Sequence, residues 1–267
     1  MTIIPRLWEG SGLGNQLHRY VMARVLAKDF GIDFGTCDRD VFKGDSFMKI
    51  DKGTLVELPG PGGKDNIHAV SYEKPEVNDE GATVTDYSWS DVEWFKKRAE
   101  EGEVSKIIID GEWQGEKYYE HRLDEIRDWL KVEPIDMPDD LCVIGFRGGE
   151  YVGVQDLFLP RIYWILAIEK MKEKYPNIRF EVHTDDVETA KDFFPDFECI
   201  HDIGLNWRSV RYAKHLIIAN SSFFILPALL GEAKEIIAPK WWAGYNKGYW
   251  QLKQNVYKKF TYIHHED

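Results

Sequence analysis

From Leu141 onward the sequence alternates short apolar runs with helical patterns, and this alternation restricts what the second half can fold into. Runs at 141–147, 178–183, 215–219 and 235–238, with a shorter one at 198–200, have the length and makeup of buried strands. The segments between them, 160–174, 187–194, 206–213 and 222–230, read as helices. Strands that alternate with helices predict a doubly wound parallel sheet, because a parallel connection needs a crossover long enough to carry a helix. Ligands of such sheets bind outside the carboxyl ends of the strands. The residues that follow each run are therefore the ones to read for chemistry.

Three strand-to-helix turns stand out. The run from Leu141 stops at Arg147, followed by Gly148, Gly149 and Glu150. Arg147 is a fixed cation with a planar fork suited to phosphate oxygens, and the glycines let a bulky group approach the backbone, which together describe a diphosphate site. The same residues also read as a surface arginine and a glycine turn. After the next run, His183-Thr184-Asp185-Asp186 offers paired carboxylates that can bind a metal, act as a base, orient an arginine or cap a helix. After the third, Asn220-Ser221-Ser222 presents hydroxyls and backbone N–H groups at a helix start, where a second phosphate is well received or where a serine simply caps. Pro227 falls inside that helix and removes one of its backbone bonds.

The first half is less regular. Ile3 to Trp8 reads as a strand that enters a glycine loop, Gly10-Ser11-Gly12-Leu13-Gly14. Asn15 is the expected N-cap of a helix reaching about Lys28, with Leu17, Tyr20, Val21, Met22 and Val25 on its core face. With Asp33 downstream, the loop invites a dinucleotide-binding reading, but that fingerprint's third glycine is missing: Asn15 or Leu17 occupies its place. A phosphate or substrate cradle, or a structural turn, remains. Strands are expected near 55–58, 67–70 and 107–109, helices near 91–100 and 119–130, and a loop at Pro59 to Gly63. The acidic, proline-containing stretch Val132 to Asp140 reads as a linker, so domains of 1–135 and 136–267 are expected.

Charge and residue usage exclude several classes. With a net charge of -12, a general nucleic-acid or anionic-membrane binder is excluded, since phosphate-backbone affinity needs clustered Lys and Arg. The cysteines, Cys37, Cys142 and Cys199, are odd in number and form no CxxC pattern, which argues against a disulfide framework or zinc knuckle and for a reducing compartment. No leader-like block and no run of membrane-spanning length is present, so a cytoplasmic protein is expected, with any membrane contact peripheral. Neither HExxH nor GxSxG occurs. Asp38-Arg39-Asp40 lacks a strand to stand on and is discounted as a metal site. Trp113, Trp241, Trp242 and Trp250 are read as core anchors before sugar-stacking platforms.

Taken in order, the blocks Gly12-Leu13-Gly14-Asn15-Gln16-Leu17, Trp113-Gln114-Gly115-Glu116-Lys117-Tyr118-Tyr119, Arg147-Gly148-Gly149-Glu150-Tyr151, Thr184-Asp185-Asp186, Ala213 to Phe223 and Ile237 to Trp242 resemble the α-1,2-fucosyltransferase family, glycosyltransferase family 11, and its wider superfamily. The resemblance implies a GT-B-like α/β fold of two Rossmann-like halves. The C-terminal half would hold the nucleotide sugar, and the acceptor would enter through the cleft. It also implies an inverting, metal-independent transfer without cofactor, of L-fucose from GDP-fucose to a glycan hydroxyl. By the same resemblance Arg147 neutralises the leaving diphosphate. Ser221 and Ser222 contact phosphate at a helix end, Gly12, Gly14 and Asn15 approach the donor, and Asp185 lines the nucleotide motif. Glu150 is the candidate base, with Asp185 and Asp186 as orienters.

The sequence departs from that pattern at several positions. Gly145 and Gly148 stand where the family has His and a second Arg, and Glu150 where it has Asp. Asn206 replaces the Asp that in relatives contacts the guanine edge; an amide offers one acceptor where a carboxylate takes two donors, so guanine preference is weakened. Ile225 and Leu226 replace paired Trp. Another nucleotide sugar, a UDP- or GDP-linked hexose or pentose, is therefore an open alternative. A catalytically silent glycan- or nucleotide-binding protein is a second, and a nicotinamide oxidoreductase a third.

Overall fold

The structure is a computed structural model that describes residues 1–7, 10–37, 40–57, 67–70, 74–77, 83–86, 97, 100–101, 106–109, 113–154, 157–240 and 257–264. Trp241, Trp242, Trp250, the Asp38-Arg39 pair, the Pro59 to Gly63 loop and most of the helix expected at 91–100 lie outside these residues. The chain divides into two units, Met1–Pro75 with Thr85–Lys131, and Val132–Asp267 with Glu76–Val84.

In the first unit, strands β1 (Thr2–Pro5), β2 (Asp33–Thr36), β3 (Thr54–Leu55), β4 (Ile67–Val70) and β7 (Lys106–Ile109) form a parallel sheet in the order β3-β2-β1-β7-β4. Strands β5 (Lys74–Val77) and β6 (Thr83–Asp86), like β2 not expected from the sequence, form a separate pair whose residues are divided between the two units. Helix α1 (Leu13–Phe30) packs on the sheet through Leu17, Tyr20, Val21, Met22 and Val25, all fully buried. Its N-cap is Gly12, in extended conformation, rather than Asn15, because the first helical hydrogen bond runs from the Gln16 N–H to the Gly12 carbonyl. Asn15 therefore sits in the first turn. The helix expected at 119–130 breaks up into a 3-10 turn, Glu120–Arg122, and a short α2 (Leu123–Trp129), and a further 3-10 turn, Glu116–Tyr118, precedes it. Tyr118 and Tyr119 are both fully buried, and Tyr119 leaves the helical region at φ -140° to place them.

The second unit is built on six parallel strands: β8 (Leu141–Phe146), β9 (Arg179–Thr184), β10 (Glu198–Ile200), β11 (His215–Ile218), β12 (Glu235–Pro239) and β13 (Thr261–Ile263). Their order is β10-β9-β8-β11-β12-β13, so the chain winds outward from β8 to one edge and then returns to build the other half from β11. Every residue of β8 and β11 is buried, as the central strands of a sheet covered on both faces require. Helices α3 (Arg161–Lys174), α4 (Val187–Phe193), α5 (Ile203–Tyr212) and α6 (Ser222–Leu230) connect the strands. Helix α5 starts three residues before the expected 206 because Asp202 caps it, Oδ1 accepting from the Leu205 N–H at 2.6 Å. β13 is the one strand of this sheet that the sequence pattern does not announce.

The core of this unit anchors the ends of the central strands. Phe146, the last residue of β8, packs against Phe158, Trp164, Phe193 and Phe194 at centroid distances of 5.3–6.1 Å. Tyr163 is fully buried on α3 and donates its hydroxyl hydrogen to the Ile218 carbonyl at the end of β11, 2.7 Å away. Burial pushes its hydroxyl pKa well above the ordinary tyrosine value. Among the described residues no helix is long and apolar enough to cross a membrane.

Candidate functional site

The strand order reverses between β8 and β11, which are paired in parallel with Ile218 opposite Gly145. At such a reversal the crossovers leave in opposite directions and open a crevice at the carboxyl ends of the two strands. Arg147, Gly148 and Gly149 follow β8, and Asn220, Ser221 and Ser222 follow β11. Two of the three turns singled out in the sequence thus meet at one topological position. The third, Thr184-Asp185-Asp186, follows β9, the neighbour of β8 on its other side.

The loop after β8 is held by both aspartates. Asp185 takes the Gly148 N–H on Oδ1 at 3.0 Å and pairs with Arg147 Nη1 through Oδ2 at 2.5 Å. Asp186 accepts the Gly149 N–H at 3.1 Å while capping α4 through the Thr189 N–H at 3.0 Å and hydroxyl at 2.6 Å. The Thr189 hydroxyl and backbone bonds, with the Gly149 N–H, hold the Asp186 carboxyl below the usual carboxylate range. This close approach explains both glycines. A Cβ on Gly148 would lie 2.7 Å from that of Asp186, and Gly149 has φ +45° with the Asp185 carboxylate where its side chain would be. The carboxylates therefore act as orienters of the arginine loop, one of the roles the sequence allowed them.

Arg147 is three-quarters buried. Its Nη2 lies 2.7 Å from Glu150 Oε1, its guanidinium carbon 5.2 Å from the centre of the Tyr151 ring, and its Nε is buried without a hydrogen-bond partner. Glu150, on the 3-10 turn Gly149–Tyr151, is largely exposed. The result is a cation fixed on one side by Asp185 and contacted on the other by a solvent-exposed carboxylate.

Across the reversal, α6 begins at Ser222, with Ser221 buried as its N-cap residue and making no side-chain capping bond. The Ser221 N–H is spent on the Ala219 carbonyl at 2.9 Å. The unbonded N–H groups inherent to a helix start are thus those that follow, from Ser222 and Phe223. Asn220 ties the turn to the preceding loop by donating from Nδ2 to the Leu157 carbonyl at 2.9 Å.

Asn206 is buried, and its amide serves an internal network. Oδ1 lies 2.9 Å from Nδ1 of the fully buried His183, and Nδ2 donates to the Thr184 carbonyl at 3.0 Å. His183 Nε2 in turn lies 2.7 Å from Glu181 Oε1, a contact that holds the Glu181 carboxyl below its ordinary range. Glu181 and Thr189 were not anticipated as site residues. Glu181 was recoverable from strand periodicity, since residues two apart on β9 share a face; Thr189 was recoverable as the residue three after a capping Asp. On the same sheet Gly145, where the resembled family has His, faces the Phe224 ring, whose nearest atom lies 2.8 Å from a Cβ built there. A side chain at 145 and Phe224 in its present place exclude each other.

In the first unit, Gly12 is exposed as the N-cap residue of α1, Gly14 is buried in that helix's first turn, and Asn15 Oδ1 lies 3.5 Å from the buried Gln114 Nε2. A Cβ on Gly12 meets nothing within 4 Å, and its φ of -64° suits any residue. Trp113 is buried and packs edge-on against Tyr118 at 5.6 Å, as expected of a core anchor.

No protein-family model matches the sequence, and no curated protein matches it. Solved structures do. A variant of Arabidopsis thaliana FUT1 in complex with GDP aligns over 89% of this chain and 69% of its own, with a TM-score of 0.50 and 11% identity. The fucosyltransferase NodZ from Bradyrhizobium aligns over 86% and 92%, with a TM-score of 0.47 and 15% identity. The E. coli heptosyltransferase WaaC with ADP aligns over 99% and 93%, with a TM-score of 0.46 and 12% identity. At these identities the likeness is one of fold: the chain has the parallel-sheet α/β architecture of GT-B glycosyltransferases.

Proposed function

We propose that this chain is an inverting, metal-independent glycosyltransferase that moves a sugar, L-fucose from GDP-fucose, to a hydroxyl of a glycan acceptor. One observation carries the reading: Arg147 and the start of α6 stand on the two strands between which the sheet order reverses. A diphosphate there meets a guanidinium oriented by Asp185 and the N–H groups of a helix start. As the bond between sugar C1 and the diphosphate oxygen breaks, negative charge grows on that oxygen, and a cation already fixed in place stabilises it without reorganising. The acceptor oxygen bonds to C1 from the opposite face, and its proton passes to a base. Glu150 is the candidate, three residues from Arg147 and exposed; such assistance contributes about 10²–10⁴-fold. Gly12, needed neither for backbone conformation nor for packing, supports a ligand approaching the first unit's loop. The odd number of cysteines, three, fits a reducing, cytoplasmic setting.

A second reading keeps the reaction and changes the base. Asn206 supports it, because its amide is engaged with His183 and Thr184 and has one N–H and one lone pair to spare for a base edge. Thermal unfolding with GDP, UDP, ADP and NAD, on the parent and Arg147→Ala, separates the readings, since a ligand at 100 times its Kd adds about 2.7 kcal/mol. GDP is expected to stabilise the parent most and to lose that effect in the variant. Stronger stabilisation by UDP selects the second reading. Stabilisation by NAD alone, or a GDP effect indifferent to Arg147, would remove the transferase assignment.

A further inference from the structure

We infer that Glu150 holds the place of a diphosphate oxygen on Arg147 in the ligand-free protein, and that anion binding releases its carboxylate for use as the base. The inference rests on the transferase reading of this site.

The two carboxylates on Arg147 are not equivalent. Asp185 is 29% exposed and is fixed by a second bond, from the Gly148 N–H to its other oxygen. Glu150 is 76% exposed, sits on a single 3-10 turn, and reaches Nη2 from a loop open to solvent. A carboxylate and a phosphate present the guanidinium with the same kind of acceptor oxygens at the same spacing. An incoming diphosphate thus competes for Nη2 with Glu150 and leaves Asp185 untouched. The exchange is nearly free, because an exposed ion pair contributes little, whereas a doubly charged anion also gains the helix start after β11.

Release has a chemical consequence. While paired with Arg147, Glu150 has one oxygen committed to the guanidinium, which keeps that oxygen from an acceptor hydroxyl. Once the diphosphate has taken Nη2, the carboxylate is uncovered and repelled by the new anion, with its lone pairs available to an acceptor hydroxyl. The base is therefore freed from the arginine only when the leaving group is in place, which predicts that donor binding precedes productive acceptor binding.

Titration calorimetry with inorganic pyrophosphate on the full chain tests this. Glu150→Ala is expected to tighten pyrophosphate binding by about two- to five-fold. Glu150→Asp, which keeps the charge but draws it back by one methylene, is expected to tighten it in the same direction. Arg147→Ala is expected to abolish it. Unchanged or weaker binding in Glu150→Ala, with Arg147→Ala still abolishing it, overturns the exchange and leaves the anion site standing. A gain in Glu150→Ala alone, with Glu150→Asp like the parent, means a field effect rather than a contact and also overturns it. Pyrophosphate binding that ignores Arg147, or no binding at all, sinks the site reading and this inference with it.

Discussion

Asp185 positions Arg147 by bonding both ends of the same short segment: Oδ2 lies 2.5 Å from the guanidinium Nη1 while Oδ1 accepts the Gly148 N–H at 3.0 Å. The side chain and the backbone that carries it are thereby fixed to one group. This makes the carboxylate's charge and its hydrogen bonding separable by substitution. In Asp185→Asn the amide oxygen can keep the Gly148 bond while the ion pair is lost. Nucleotide affinity is expected to fall by about two- to five-fold, in line with a partly exposed charge pair acting indirectly, with little change in Tm. Isothermal titration beside a melting curve checks it; a large loss of stability with intact affinity would place Asp185 in folding alone.

Gly149 adopts φ +45° with the Asp185 carboxylate where its side chain would be. Gly149→Ala adds the strain of a left-handed alanine, about 1–2 kcal/mol, and displaces Asp185 as well. A drop in Tm together with weaker nucleotide binding is expected. A stable variant with parental affinity would show that the loop tolerates another path.

Gly12 gives the opposite expectation. Its φ is ordinary and a Cβ there meets nothing within 4 Å, so Gly12→Ala should cost no more than about 1 kcal/mol, as a cap change. Under the proposed approach of a ligand to this loop the methyl group competes for its space, and turnover is expected to fall about ten-fold, equivalent to ~1.4 kcal/mol of lost transition-state stabilisation. Parental turnover with parental Tm would mean that no ligand comes near this loop.

Asp186 sets an acid limit. Its bonds from Thr189 and Gly149 lower its folded pKa below the unfolded value of about 3.9. The folded state thus binds the proton less readily, and the stability this group contributes is complete above the unfolded pKa and lost as pH falls through the folded one. The Tm difference between the parent and Asp186→Asn is expected to be constant above about pH 5 and to shrink below about pH 4. Unfolding curves from pH 7 to pH 2.5 read this out, and a gap that persists at the acid end would contradict it.

Helix spacing and strand length are local properties, and so the order of strands and helices from Leu141 to Pro239 is legible in the residues alone. The positions of Arg147, Asp185 and Ser222 at strand ends are legible for the same reason, because a short apolar run announces where it stops. Boundaries moved where a hydrogen bond between neighbouring residues decided the matter, as with Asp202 capping α5 and Gly12 displacing Asn15 at the start of α1.

What the sequence determined unaided is a parallel α/β chain with an arginine, two aspartates and two serines at its strand ends. Only the tertiary structure decided which of them share a place, because strand order depends on pairing between segments distant in sequence. That pairing set β8 beside β11, brought Asp185 onto Arg147, and turned Asn206 inward to His183. It also explains why the sequence bears Gly145: the Phe224 ring, from the far side of the strand-order reversal, fills the space its side chain would need.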